Sequence, residues 1–540
     1  MPLKSALAIT LLICATTTIF CYWAYVRSGN AVQAATTFNG VLTYHNDNMR
    51  SGRNMLESVL TWQNVNAATF GKLFVIATDG KVDAQPLFRP DVKMGNVAHN
   101  VLYVATEHDT VYAFDGDTGA NLWQVSLLQP GETPSDNRGC GQVTPVIGIT
   151  ATPVIDPTSG PNGTIYVVAM SKDVSGRYYQ RLHALDLTTG REEFGGPVTI
   201  QAKFPGTGDN SRGGYVIFDP KQYKERPGLL LLNHTIYTFW SSHCDYRPYT
   251  GWVISYNESS LSQQAVLNIT PNGNAGAIWS SGGAPAADSA ANIYLLAGNG
   301  TFDTTLNANG FPRNGDCGNC FLKLSTTNHI LKIADYFTMY NTVAESNADE
   351  DLGSGGAMVL PGIKDSRGVV HYLAVGAGKD RNIYMVDRNN LGKFNASNNY
   401  HLYQELPGAL GGSEFAMPAF FGSQIYYGAA GDVIREFGIL NAKLTAPVSH
   451  TAHVFPYPGT TPSLSSNGAS DAVLWAAENT STAVLHAYKA TNLAVELYNS
   501  NQASGGRDHF GRGNKFITPT IANGRVYVAT TNGVGVFGLL

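Results

Sequence analysis

Short apolar segments separated by glycine-rich turns follow one another along almost the whole chain. Segments such as LYVAT (residues 102–106), VYAFD (111–115) and LHALD (182–186) alternate in side-chain character with a period of two residues. This period is typical of β-strands with two distinct faces. Long stretches with the period of an amphipathic helix are absent from the sequence. The pattern therefore predicts an all-β protein.

The strands recur as a larger unit about every 50–60 residues, the spacing of a repeat architecture. Each unit has a short inner strand after a small-residue turn, two further strands and an outer strand. Eight units run from AQPLFRP (84–90) to the C-terminus, and the eighth lacks its outer strand. The segment GKLFVIA (71–77) precedes the first unit and can supply that missing strand. We therefore predict an eight-bladed β-propeller with four-stranded blades, closed by an N-terminal strand in the last blade.

The N-terminal residues are predicted to be a targeting segment. Lys4 precedes an apolar stretch over residues 6–26, and the small-residue sequence AVQAAT follows at 31–36. A signal peptide over residues 1–34, cleaved after Ala34, is the preferred interpretation, although the apolar stretch is also long enough for an uncleaved anchor. The propeller domain then spans residues 35–540 and is secreted or periplasmic, with no integral membrane domain beyond the N-terminal segment.

Four cysteines lie outside the targeting segment: Cys140, Cys244, Cys317 and Cys320. An even number in an oxidising compartment favours disulfides. The close pair in DCGNC (316–320) favours a local disulfide between Cys317 and Cys320, and the other two are bridged or free. A zinc site would need both pairs.

Composition excludes several classes of function. Only 14% of the residues are charged and the net charge is −5, which argues against nucleic-acid binding. The sequence has no phosphate-binding P-loop, no G-x-S-x-G nucleophile motif and no H-E-x-x-H metalloprotease motif.

Three turns carry a more specific signature: DGDTGANLW (115–123), ALDLTTG (184–190) and AYKATN (487–492). In such turns Asp and Thr cap the turn, Gly takes a positive φ and Trp docks between blades. The signature resembles the repeat of the quinoprotein dehydrogenases, in a divergent form. The resemblance implies pyrroloquinoline quinone (PQQ) over a calcium ion at the channel face with the inter-blade loops. It also implies an Asp as general base, acting on a small-molecule alcohol or sugar.

The chain departs from that family in two respects. It lacks the two adjacent cysteines that often form a ring disulfide against the cofactor. The family's calcium-binding Glu and Asn also have no matching local motif in this sequence.

Propeller topology brings two kinds of loop to the channel face: those that enter each first strand and those between the second and third strands. The segment ADEDLGSGG (348–356) supplies the candidate metal ligands Asp349, Glu350 and Asp351. Asp351 and Asp245 are the candidate catalytic bases. Four side chains are candidates for binding an anionic cofactor: His243, Lys379, Arg507 and Lys515. The alternative for each is an ordinary role in a turn or in solvation.

Two functions therefore remain open. The first is an exported quinoprotein dehydrogenase that oxidises an alcohol or sugar with PQQ and calcium. The second is a non-catalytic propeller scaffold that binds a carbohydrate, a peptide or an envelope protein.

Overall fold

A computed structural model describes residue 38 and residues 40–540, so the predicted targeting segment lies outside the described residues. Within this part of the chain one α-helix occurs, Thr342–Ala348, and almost everything else is strand or turn. No helix of the described residues has the length and apolar character needed to span a bilayer. Short 3₁₀ turns lie at Ser280–Gly282, Thr327–His329, Leu352–Ser354 and Ser504–Gly506. The predicted all-β class is confirmed.

Eight antiparallel sheets of four or more strands account for most of the described chain, and we number them in chain order. Sheet 1 consists of Leu87–Met94, Val97–Ala105, Thr110–Asp115 and Asn121–Ser126. Sheet 2 consists of Val154–Asp156, Thr164–Asp173, Tyr178–Asp186 and Val198–Thr199, with Glu132–Asp136 and Val146–Ile147 added at one end. Sheet 3 consists of Leu230–Leu232, Thr235–Ser242, Trp252–Asn257 and Gln263–Asn268, with Tyr223–Lys224 added. Sheet 4 consists of Ala286–Ala287, Ile293–Leu296, Phe321–Ser325 and Lys332–Phe337.

The remaining four sheets follow the same order of strands. Sheet 5 consists of Met358–Val359, Leu373–Ala377, Ile383–Asp387 and Gln404–Leu406. Sheet 6 consists of Ala419–Phe421, Gln424–Tyr427, Asp432–Leu440 and Lys443–Phe455. Sheet 7 consists of Ser463–Asn467, Ser470–Glu478, Val484–Lys489 and Glu496–Asn499, with Arg53–Asn54 pairing in parallel to its first strand. Sheet 8 consists of Thr520–Ala522, Arg525–Thr530, Gly533–Leu539 and, from the N-terminal side, Phe70–Ala77.

Two small sheets lie outside this series. One consists of Lys203–Pro205, Ser211–Arg212 and Tyr215–Ile217, and the other of Ile363–Lys364 and Val370–His371. The first lies in the connection between sheets 2 and 3, and the second is an insertion between the first and second strands of sheet 5.

The hydrophobic core lies between consecutive sheets, which pack face to face. One cluster joins sheets 2 and 3 around Trp240 and Trp252, and others join sheets 3 and 4, 4 and 5, 5 and 6, and 6 and 7. Second and third strands are buried on both faces, whereas the outer strand Asn121–Ser126 is largely accessible. Stacked sheets of this kind bury apolar area along the whole chain without any central helix.

Tyrosines of the second strands tie four of the eight sheets to the next sheet. The Tyr103 hydroxyl donates to the carbonyl of Leu187 at 3.0 Å, in the turn that follows the third strand of sheet 2. Equivalent bonds run from Tyr166 to Glu258, from Tyr426 to Ala490 and from Tyr527 to Gly116. The last of these joins sheet 8 to sheet 1. These bonds give a physical reason for the tyrosine that recurs in the repeat.

The turn signature has the roles expected from the sequence. The Asp186 carboxylate accepts from the Thr188 and Thr189 amides at 2.9 Å each, and Gly190 has a φ of +67°. The Trp123 indole donates to the Leu187 carbonyl at 3.0 Å and packs so closely on Gly190 that a Cβ there would lie 2.7 Å from the ring. The predicted docking of Trp123 between sheets is confirmed.

A segment that the repeat does not predict, residues 41–54, makes hydrogen bonds to all eight sheets. Its backbone or side chains bond to the first strand of every sheet from 1 to 8. The partners are, in order, Phe88, Ile155, Leu231, Ala287, Val359, Phe420, Leu464 and Ile521. We call residues 41–54 the axial segment. Fourteen consecutive residues therefore link the first strands of all eight sheets.

The disulfide joins Cys140 to Cys244, whose Cα atoms are 6.4 Å apart. The expected local bridge between Cys317 and Cys320 is wrong, since both are buried free thiols. They belong to the core between sheets 3 and 4, and the Cys320 Sγ lies 3.4 Å from the Gly318 carbonyl in the intervening turn. Proximity in sequence favoured the wrong pair because the sequence does not show that Cys140 and Cys244 meet across two sheets.

We expect the C140S/C244S double variant to lose about 2–5 kcal/mol of unfolding free energy, since the bridge closes a loop with a sequence separation of 104 residues. Urea titrations with and without reductant measure this. Reductant should destabilise the wild type to the level of the variant and leave the variant unchanged. An equal effect of reductant on both proteins would contradict the assignment.

Candidate functional site

Loops that enter the first strands of the sheets converge beside the axial segment. The Tyr44 side chain of that segment is 2% exposed, packs with Ala284 and Met417, and its hydroxyl accepts from Thr518 at 3.1 Å. These loops, together with loops between second and third strands, bring a group of charged and aromatic side chains close to one another. We call this group the mouth: Lys81, Asp83, Glu107, Lys224, Arg226, Trp279, Asp351, Lys379, Phe415, Tyr457, Lys515 and Phe516.

Asp351 is the most deeply buried of the predicted acids, with 1% exposure. The Lys379 ammonium lies 2.8 Å from its Oδ1, and the Trp279 indole donates to its Oδ2 at 3.3 Å. Burial raises the pKa of Asp351 above its ordinary value, although the charge of Lys379 opposes this rise. A buried carboxylate beside a cation and an aromatic face has the character of a general base.

Asp349 lies next to this pair but at the surface. Its Oδ1 accepts from the Lys379 ammonium at 2.5 Å and from the Asn299 side-chain amide at 2.6 Å. The Oδ1 of Asn299 is buried and has no hydrogen-bond partner among the described residues. Glu350 is exposed and only its backbone amide is engaged, with the Glu345 carbonyl. The structure thus groups Asp349, Asp351 and Asn299, and leaves the Glu350 side chain outside the group.

Local backbone geometry explains how Asp351 is held inward. The helix Thr342–Ala348 ends at Asp349, which has a left-handed φ of +61°. The Asn319 side chain then accepts from the Leu352 amide at 2.8 Å. A Cβ on Gly353 would lie 2.4 Å from the backbone nitrogen of Gly298, so this close approach requires glycine.

A second group of mouth residues centres on Glu107, which is 2% exposed. Its Oε2 accepts from the Gly148 amide at 2.6 Å and from the Thr150 hydroxyl at 3.1 Å. Burial, with the nearby charge of Asp83, raises the pKa of Glu107 to about 8. The Lys81 ammonium, 3.1 Å from Asp83, keeps the pKa of Asp83 low despite its burial. Burial and the local charges therefore shift the pKa values of these two neighbouring acids in opposite directions.

Cations and aromatic rings complete the mouth. Burial and the neighbouring Arg226 lower the pKa of Lys224 to about 8. The Arg226 guanidinium lies 5.5 Å from the Phe516 ring centre, and the Lys379 and Lys515 ammonium groups lie 5.6 Å from the Trp279 and Tyr457 ring centres. Phe415 contacts both Trp279 and Tyr457. Flat apolar faces with cations around them suit a planar anionic ligand.

Two other predicted residues, Asp245 and His243, lie beside this group. Asp245 accepts from Ser242 at 2.7 Å and from the Tyr249 hydroxyl at 2.9 Å, which leaves it hydrogen-bonded within its own loop. His243 is 1% exposed, and burial together with Lys224 lowers its pKa to about 4. Lys515 bonds to the Gln142 side chain.

Arg507 has a different environment. Its guanidinium binds Asp508 through two bonds of 2.8 and 2.7 Å and also donates to the carbonyls of Ala67 and Phe70. These contacts attach the N-terminal strand of sheet 8 to the chain that follows sheet 7. The structure does not bring Arg507 into contact with Asp351 or Lys379 within the described residues.

Several residues of the site were not singled out from the sequence, among them Lys224, Arg226, Trp279 and Asn299. A signal was present for some of them. Lys224 and Arg226 stand in KERP, directly before the first strand of sheet 3, and Trp279 stands in the entering segment IWSSGGAP. Their inward direction depends on the axial segment and on cross-sheet contacts, which the repeat pattern does not contain.

The buried Glu414 gives a pH-dependent prediction. It is fully buried, its Oε1 accepts from the Ala416 amide at 2.8 Å, and burial raises its pKa from 4.5 to about 8. The folded protein therefore keeps a proton that the unfolded chain releases. The contribution of this group to the free energy of unfolding decreases as the pH rises from about 4.5 to 8. Glu414→Gln mimics the protonated acid. We expect it to match the wild type at pH 5 and to exceed it by roughly 1–3 kcal/mol at pH 9.

Urea titrations at pH 5, 7 and 9 measure this difference. Other titrating groups are common to both proteins and cancel. A difference that stays constant across the three pH values would show that Glu414 is ionised in the folded state.

Comparison with known proteins supports the predicted resemblance. A family model described as outer membrane protein assembly factor BamB matches residues 61–193. No curated protein sequence matches the chain. Among solved structures, quinohemoprotein alcohol dehydrogenase from Comamonas testosteroni superposes with a TM-score of 0.62 at 13% identity, over 94% of this chain and 81% of that chain. The chain therefore has a β-propeller fold like that of the quinoprotein dehydrogenases.

Two further structures agree on this fold. The quinohemoprotein alcohol dehydrogenase ADHIIG from Pseudomonas putida HK5 gives a TM-score of 0.60 at 12% identity, over 93% of this chain and 80% of that chain. A europium-containing methanol dehydrogenase gives 0.57 at 12% identity, over 92% of this chain and 91% of that chain. The predicted family resemblance is confirmed, and at this identity it establishes the propeller fold.

Proposed function

We propose that the eight sheets are the blades of one closed ring. Three observations support closure: Phe70–Ala77 pairs with Gly533–Leu539, Tyr527 of sheet 8 bonds to the sheet 1 turn at Gly116, and the axial segment bonds to all eight first strands. Closure leaves no unpaired first or last sheet in the ring. The mouth is then one end of the central channel, plugged from below by Tyr44.

We further propose that this propeller is an exported quinoprotein-type dehydrogenase, which oxidises a small alcohol or sugar with PQQ and calcium at the mouth. The observation that carries the proposal is the buried pair of Asp351 and Lys379 beneath the Trp279 ring. The disulfide between Cys140 and Cys244 supports export to an oxidising compartment.

The residues present fit both groups. Oxygen donors for calcium are available from Asp349 and from the unpartnered Asn299 Oδ1, which are hard ligands of the type calcium prefers. For the carboxylates of the quinone the mouth offers Lys224, Arg226, Lys379 and Lys515, in addition to Lys81, which is paired with Asp83. Trp279 and Phe516 offer flat faces. When bound, PQQ supplies a two-electron acceptor and calcium a Lewis acid.

The chain's own residues then have distinct roles. Asp351 accepts the hydroxyl proton of the substrate, and Lys379 stabilises the carboxylate before that transfer. Tyr44, Met417 and the surrounding rings exclude water from below. Asp245 and His243 shape the wall beside Lys224, and Arg507 anchors the N-terminal strand.

The test is dye-linked oxidation by the purified chain after incubation with PQQ and Ca²⁺, over a panel of primary alcohols and aldoses. We expect activity that depends on both additions. An absence of activity with every substrate, together with normal folding, would refute the enzymatic proposal.

A non-catalytic scaffold is the second candidate. The match of residues 61–193 to a family model described as an envelope assembly factor favours it, as does the absence of adjacent cysteines. In that case the mouth loops bind an envelope protein, a peptide or a carbohydrate. Substitutions in these loops then abolish partner capture, and neither the wild type nor the variants show redox activity.

A further inference from the structure

Two histidines and a glutamate meet between sheets 6 and 7, outside the mouth residues. His453 lies near the end of the last strand of sheet 6, Glu478 ends the second strand of sheet 7, and His486 lies in its third strand. The Nε2 atoms of His453 and His486 lie 2.9 and 3.3 Å from the same oxygen, Glu478 Oε2. One nitrogen or oxygen from each residue lies within 4.8 Å of the others.

These separations are close to those in a metal site. Tetrahedral zinc with bonds of about 2.0–2.1 Å places its ligand atoms roughly 3.3 Å apart. Two imidazole nitrogens and one carboxylate oxygen are a donor set that zinc and related divalent transition metals prefer, whereas calcium prefers oxygens alone.

The orientation of the rings points to a metal more than to ion pairs. The Nε2 of His453 is buried and makes no hydrogen bond within the described residues, although Glu478 Oε2 is only 2.9 Å away. The direction of the Nε2 lone pair or N–H bond, which lies in the plane of the ring, therefore does not point at that oxygen. The two imidazole rings stack at 4.7 Å with an angle of 27°, a poor arrangement for two like charges.

The surroundings match a second requirement of metal sites. The Nδ1 of His486 lies 2.8 Å from Glu496 Oε1, which fixes the ring and directs the lone pair of Nε2 towards Glu478. The buried Phe455 ring packs edge-on against both imidazoles and forms an apolar wall. The His453 side chain is 38% exposed, which leaves an entry path and an open coordination position.

We propose that His453, Glu478 and His486 bind one divalent transition-metal ion, zinc in the first instance, which ties the outer strand of sheet 6 to sheet 7. Glu496 acts as the positioning residue for His486. This site is independent of the proposed function, because none of its residues belongs to the mouth.

The test is calorimetric titration of the untagged, chelator-treated full chain with ZnCl₂. We expect one ion per chain, a raised Tm, and roughly 10–100-fold weaker binding in His453→Gln and in Glu496→Gln. X-ray absorption should show nitrogen and oxygen ligands only. His450→Gln, which changes an exposed histidine three residues before His453, is the matched control and should bind as the wild type does.

Three results would overturn the proposal: no saturable zinc binding, unchanged affinity in both folded variants, or loss of binding in His234→Gln instead. The last would place the ion at the more exposed group of Asp156, His234 and Glu258. The exposed position of Glu496 makes its variant informative even if a substitution at His453 disturbs folding.

Discussion

Asp351→Asn is expected to lower dye-linked oxidation by the PQQ-loaded and calcium-loaded protein by roughly 10²–10⁴-fold, the usual contribution of a general base. The substitution keeps the size of the side chain and its contact with Trp279, but removes the group that accepts the proton. Because burial raises the pKa of Asp351, wild-type activity should rise with pH as this carboxyl ionises. The variant should lose that rise.

The measurement is kcat and kcat/KM between pH 5 and pH 9, with Tm recorded for each protein. Asp365→Asn is the matched control, because it makes the same change in the small sheet formed by Ile363–Lys364 and Val370–His371. It should retain wild-type rates. Full activity in Asp351→Asn would show that Asp351 is not the general base. Asp245 would then be the alternative candidate.

Arg50→Ala is expected to destabilise the protein by about 3–5 kcal/mol, the largest stability effect that we predict. Arg50 is fully buried in the axial segment. Its guanidinium donates to the Pro285 carbonyl at 2.9 Å, to the Thr43 hydroxyl at 2.8 Å and to the Tyr44 carbonyl at 2.9 Å. Burial lowers its pKa to about 10, so it remains charged at neutral pH.

The loss has a specific physical origin. Without the guanidinium, buried carbonyls lose their donors and a cavity opens on the axis between the axial segment and sheet 4. Arg53→Ala is the control in the same segment, where a half-buried guanidinium lies 5.1 Å from the Phe420 ring centre. It should cost about 1 kcal/mol or less. Equal losses in the two variants, measured by urea titration, would contradict a special role for Arg50.

The all-β class and the repeat could be predicted because each unit encodes its own strands and turns. Tyr103, Asp186, Gly190 and Trp123 act within one unit or on its immediate neighbour, so the repeat predicts their contacts. The axial segment contains no repeat. Its role depends on hydrogen bonds to the first strands of all eight sheets, and local patterning carries no information about these long-range contacts.

The candidate site was predictable to a similar extent. Asp351, Asp349 and Lys379 could be selected because charged loop residues stand out in a chain with few charges. Their assembly with Trp279 and Asn299 could not be predicted. These residues come from separate sheets and meet through close backbone contacts between glycines, such as that of Gly353 with Gly298. The predicted disulfide pairing was wrong for the same reason, because the bridge joins loops of different sheets.

Direct binding of the quinone tests the central claim, a cofactor site at the mouth. Purified chain is mixed with PQQ in the presence and absence of Ca²⁺, passed through gel filtration, and the bound quinone is quantified by its absorbance. We predict one PQQ per chain with Ca²⁺, much less without it, and much less in Lys379→Met. Absence of retained quinone in the folded wild-type protein under both conditions would contradict the account.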